Sequence, residues 1–113
     1  MVMYIGFSTK THKLHAKLIC RKYKHCAPVI VVGKRAVIYQ FVNAKKIVPV
    51  NVRKQDLKKL KNFGWVFIQY KSKTHCKDIV HIRALTCVQF TKRFFHIKKI
   101  LIQTPDALFK YLE

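Results

Sequence analysis

The chain has 113 residues, of which 24 are Lys or Arg and four are Asp or Glu, for a formal net charge of +20. Half of it is hydrophobic, which argues against disorder and suits one compact domain over residues 1–113. Four scattered acids exclude paired-carboxylate and two-metal chemistry, and three separated glycines exclude a phosphate-cradling loop.

In chain order, Val2 to Phe7 reads as a strand. Ser8 to Thr11 supply helix-start residues, and Leu14, Leu18 and Ile19 recur at helical spacing, predicting a helix from about Thr11 to Tyr23. Val29 to Val32 and Ala36 to Val42 are β-rich runs joined by Gly33-Lys34-Arg35, a hairpin signal. Ile47 to Val52 is a further strand, which Pro49 places near an edge because proline cannot donate to a ladder. Gln55 to Phe63 predicts a short helix with an acid early, bases late and Gly64 just past its end. Trp65 to Tyr70 is a fifth strand, followed by a basic loop over Lys71 to Arg83 with a partial strand at Ile79 to Ile82. Two helices close the chain, from Cys87 to about His96 and from Pro105 to Leu112, the latter with Thr104 as cap and Pro105 at its first position. The order is α+β: an antiparallel sheet of about five strands with a helix before it and helices after it.

The start of the first closing helix carries chemistry. Thr86 and Gln89 have the Thr-x-x-Gln spacing of a capping box, which puts Cys87 at the first helical position. There the positive end of the helix dipole favours a thiolate. Far upstream, His25 leads into the apolar Val29 to Val32 run, where it could face that thiol as a base.

Several pieces together resemble the circularly permuted papain-fold hydrolases related to NlpC-type peptidases, in which the histidine precedes the cysteine. They are Tyr4-Ile5-Gly6-Phe7-Ser8 with Leu18-Ile19, Tyr23-Lys24-His25, Cys87-Val88-Gln89-Phe90, and Thr104 to Phe109. Lys24 stands where that group usually has serine. The resemblance implies a permuted papain-like fold and a cysteine hydrolase acting on a peptide, other amide or acyl substrate. Cys87 would be the nucleophile and His25 the base. The third, orienting residue falls on the strand after the histidine strand, at Gln40 or, failing that, Asn43. The Cys87 N–H would meet the oxyanion, with Tyr23 as a second donor. No cofactor is implied.

Blander readings stand beside these. A cysteine on an amphipathic helix is commonly a small buried hydrophobe, a histidine can merely end a strand, and a strand glutamine is an ordinary exposed residue. Cys20, Cys26, His75 and Cys76 do not have the tight spacing of a structural zinc site, so no metal is expected. Four cysteines without a disulfide-scaffold pattern point to reduced thiols and a cytoplasmic setting. No apolar run approaches the roughly 20 residues of a membrane span. The positive charge favours an anionic polymer as partner, nucleic acid above all, and the alternative to a hydrolase is a non-catalytic basic nucleic-acid-binding module. Trp65, Phe67, Tyr70, Phe90 and Phe94 could stack bases, although their spacing also suits a core.

Overall fold

A computed structural model describes residues 2–9, 23–43, 46–71, 75, 79 and 82–113. Five strands, β1 (Val2–Ser8), β2 (His25–Val32), β3 (Arg35–Asn43), β4 (Lys46–Arg53) and β5 (Trp65–Gln69), form one sheet in the order β4-β3-β2-β1-β5. All neighbours are antiparallel. Three helices are described: α1 (Asp56–Lys61), α2 (Cys87–Phe94) and α3 (Pro105–Leu112). The predicted Thr11–Tyr23 helix lies outside the described residues except for Tyr23, which is not helical and leads into β2. The expected partial strand at Ile79 to Ile82 is corrected at its ends, since Val80 and His81 lie outside the described residues: the Ile82 N–H donates to the Ile79 carbonyl at 3.2 Å, a contact that an extended segment cannot make.

Alternation along the strands divides the apolar residues between two faces. Met3, Ile5, Phe7, Cys26, Ile30 and Phe41 meet α2 and α3 through Val88, Phe90, Phe94 and Leu108. Ala27, Val29, Val31, Ala36 and Ile38 on the reverse face meet α1 through Leu57 and Leu60. Gly6 is on this second face beneath two aromatic rings. A Cβ there would stand 2.9 Å from carbon atoms of both Trp65 and Phe67, so only glycine lets the rings lie against the sheet. Those rings stack with centroids 5.7 Å apart.

The sheet is not uniformly paired. β1 and β2 run together from Val2↔Val31 to Ser8↔His25, whereas β2 and β3 pair only from Val32↔Arg35 to Val29↔Ile38. Pro28 explains where that second ladder stops: it has no N–H to donate and sits in the central strand, where a proline is ordinarily excluded. Beyond it β2 continues to His25 and β3 to Asn43 with the ladder between them open. Pro49 in β4 needs no such opening, because β4 is an edge strand. The hairpin turns at Gly33-Lys34, where Gly33 has a φ of 60°.

Three hydrogen bonds brace the helices against this frame and against each other. The Tyr23 N–H, just before β2, donates to Asp106 Oδ1 of α3 at 2.9 Å. Lys92 of α2 is buried and donates from Nζ to the carbonyls of Lys99 (2.9 Å) and Ile102 (2.6 Å) in the segment leading to α3. Burial pushes the Lys92 ammonium below its usual range, and neighbouring Arg93 adds to the effect.

Candidate active site

Helix α2 begins as its sequence predicts. Thr86 is extended, with φ −137°, and its hydroxyl accepts the Gln89 N–H at 3.1 Å. The Gln89 side chain reaches back in turn, but to the Leu85 N–H at 2.9 Å, one residue before the cap. This reciprocal pair fixes the first turn of α2 and with it the position of Cys87. Thr91, one turn later, donates its hydroxyl to the Cys87 carbonyl at 2.8 Å.

Cys87 meets the open end of β2. The Cys26 side chain, His25 and the Cys26 backbone N–H all act on the Cys87 sulfur, and Cys26 Sγ also lies 3.6 Å from Thr91 Oγ1. The backbone contact follows from the broken ladder. Residues 26 and 28 are two apart on a strand, so their nitrogens face the same neighbour. On that side Pro28 has no hydrogen to give, and Cys26 gives its own to sulfur instead of to β3. His25 and Cys26, which regular alternation sends to opposite faces, both reach Cys87 because the sulfur lies alongside the strand.

These contacts stabilise the anion. The Cys87 thiol is lowered from 9.0 to about 4, first by the hydrogen bond from the Cys26 side chain, then by the hydrogen bond and charge of His25 and by the Cys26 N–H. Burial opposes the shift and is outweighed. The helix N-terminus acts in the same direction as the donors.

His25 is held from its other side. Its Nε2 lies 2.6 Å from Gln40 Oε1, a contact in which the ring N–H donates to the amide oxygen. Gln40 comes from β3, beyond the last β2–β3 pair, so the two side chains meet across the opening rather than across a ladder. The Trp65 ring stands edge-on to the imidazole, with centroids 6.1 Å apart and planes at 90°. Asn43 is at the exposed end of β3. Tyr23 lies two residues before His25, 3% exposed, with its ring against Phe109 (4.7 Å) and Phe7 (5.5 Å).

The structure thus gathers Cys87, His25 and Gln40 in one chain of contacts. To these it adds Cys26 and Trp65, to which the sequence reading gave no role at a thiol site. Cys26 carried a usable signal, being adjacent to His25 and two residues before a strand proline. Among the described residues, no group of three or more His, Cys, Asp or Glu could hold a metal ion. Cys20 and Cys76 lie outside them.

The order of these causes gives a test. Cys26→Ala removes the leading donor to sulfur and is expected to raise the Cys87 pKa, whereas Cys26→Ser keeps a donor and is expected to preserve most of the shift. Thiolate absorbance at 240 nm against pH, with Cys87→Ala as the blank, reads both; identical curves for the two variants would remove Cys26 from the site.

The chain was compared with protein-family models, with curated proteins and with solved structures, and none of them matches it.

Proposed function

We propose that this chain is a cysteine hydrolase of the permuted papain type, cleaving an amide, ester or thioester through an acyl-enzyme on Cys87. The observation that carries the reading is a thiol at the first position of α2, held beside an imidazole that is itself engaged by an amide at 2.6 Å; this setting lowers the thiol pKa. A structural cysteine has no use for that set of donors, since a buried apolar setting raises a thiol pKa instead of lowering it.

In the proposed reaction the Cys87 sulfur attacks the substrate carbonyl carbon and the carbonyl electron pair moves to oxygen. The Cys87 N–H at the start of α2 faces that oxyanion, with Tyr23 proposed as a second donor. His25, as imidazolium, gives its proton to the leaving nitrogen, oxygen or sulfur as the bond breaks. The neutral imidazole then takes a proton from water, which attacks the thioester and releases the acid, and the thiolate–imidazolium pair is restored. Gln40 accepts from the ring N–H, which turns the other ring nitrogen toward sulfur and fixes the plane of the imidazole.

The test is covalent capture. At about pH 5.5 an acyl-type electrophile, traced by peptide mass spectrometry, is expected to label Cys87 in the wild-type chain, to leave no adduct there in Cys87→Ala, and to label His25→Ala about ten-fold more slowly. Equal labelling of wild type and His25→Ala would end the assignment. The fold of each variant is checked by its thermal transition.

A further inference from the structure

The face of the sheet that carries α1 has a recess of about 700 Å³ at the end of β2 opposite His25. Val31 and His25 are six residues apart on that strand, or roughly 20 Å at about 3.3 Å per residue, so the recess is separate from the thiol site. Its floor is apolar and aromatic, with Tyr4 and Phe67 half-buried beside Val31 and Leu57. Apart from Gln55 its rim is cationic: Lys34, Arg35, Arg53, Lys54, Lys58 and Lys61.

The backbone forces this charge together. Arg35 and Arg53 are directly opposite across the β3–β4 ladder, a placement of like charges that destabilises a sheet. The Lys54 N–H donates to the Lys34 carbonyl at 2.8 Å, which locks the two turns bearing those lysines side by side. Asp56 engages Arg53 at 3.3 Å and Lys59 at 3.7 Å, which among the described residues leaves most of the rim without an acid. A concave site with an aromatic floor and a ring of cations suits a ligand that is flat and apolar in one part and anionic in another.

We infer that this recess is a binding site for single-stranded nucleic acid, with a base stacked on Tyr4 and Phe67 and the flanking phosphates on the Lys34, Arg35, Arg53 and Lys54 rim. Stacking on aromatic floors beside a cationic track is how single strands are held without sequence preference. A duplex keeps its bases stacked on one another and cannot lay one on the floor. A bilayer surface is flat and reaches the rim alone. The remaining positive charge of the +20 chain would steer the strand toward the recess. The inference does not depend on Cys87.

Fluorescence anisotropy with a labelled oligothymidylate of roughly 12 nucleotides, on the full chain at about 50 and 200 mM salt, tests it. Lys34→Glu with Lys54→Glu is expected to weaken binding at least about ten-fold and to lower the salt slope by about 1 to 2. Lys98→Glu with Lys99→Glu makes the same charge change on exposed residues elsewhere, and its expected loss is under about three-fold. Tyr4→Leu, which keeps an apolar floor, should lose about five-fold or more from stacking alone. Thymidine monophosphate as competitor separates the two forms in which this chemistry occurs. Displacement at millimolar concentration shows that one nucleotide fills the recess, and failure to displace shows that the strand's flanking phosphates are needed. Equal losses in the two charge-reversal pairs, duplex binding as tight as single-strand binding, or rim-dependent binding to phosphatidylserine vesicles without oligonucleotide binding would each overturn the inference.

Discussion

Alkylation of Cys87 by iodoacetamide is expected to change little between about pH 5.5 and 8, while an ordinary thiol accelerates more than a hundred-fold over the same range. The reason is the pKa. A thiol lowered to about 4 is already almost entirely thiolate at the acid end, so further base adds almost no nucleophile. Absolute speed is a poorer guide, because a thiolate loses intrinsic nucleophilicity as its pKa falls, with a slope of about 0.4 to 0.5. Across the interval from 9.0 to about 4, that slope costs Cys87 roughly two powers of ten. At pH 5.5 its greater thiolate fraction wins, and Cys87 should outpace an unperturbed thiol. At pH 8 that advantage has shrunk and the lost nucleophilicity offsets it. His25→Ala removes both a hydrogen bond and a charge from the sulfur and is expected to move the inflection up, steepening the acid limb. A wild-type profile that rises with pH like those of exposed thiols would contradict the geometry of the site. Peptide mass spectrometry at each pH keeps the four cysteines apart.

Phe94→Ala is expected to cost about 3–5 kcal/mol of folding free energy, a large part of the roughly 5–15 kcal/mol that holds a domain together. Phe94 is fully buried on α2, with ring neighbours Phe95 at 4.8 Å, Tyr39 at 5.3 Å, His75 at 5.3 Å and Phe90 at 6.1 Å. Alanine leaves those rings around a void that rigid helix and strand backbones cannot close. The thermal midpoint should fall by something over about 10 °C. Urea unfolding followed by circular dichroism measures the change, and a loss below about 1 kcal/mol would mean that α2 is not packed on the sheet as described. Because α2 also carries Cys87, the surviving folded fraction should keep its acid-side alkylation only where the helix still caps at Thr86.

The sequence discloses the helix starts best, because caps are local chemistry. Thr86 with Gln89, and Thr104 with Pro105, mark the first turns of α2 and α3 without reference to anything distant. The Gly33-Lys34 turn and the edge position of Pro49 were legible for the same reason. The full length of β2 was not. Its first residues, His25-Cys26-Ala27-Pro28, show no apolar alternation, and a proline ordinarily ends a strand. The structure keeps them extended because β1 pairs with them on one side while Cys87 occupies the other. The contact of His25 with Gln40 is likewise invisible to strand-register reasoning, since it forms where β2 and β3 have no register. For the same reason the resemblance could offer Gln40 and Asn43 together but not choose between them on cross-strand grounds. Ile79 and Ile82 failed in the other direction: β-branched residues suggested a strand, and the Ile82 N–H instead returns to the Ile79 carbonyl.

The contacts of Asp106 and Lys92 close a circuit. From Tyr23 at the head of β2 it crosses to Asp106 on α3, returns along the segment before α3 to the carbonyls of Lys99 and Ile102, enters α2 through Lys92, and runs down that helix to Cys87. Cys87 and His25 therefore belong to the two ends of one brace, although they are 62 positions apart in the chain. Helix α3 thereby works as a spacer between the two, as the crossbar of a frame sets the distance between its uprights.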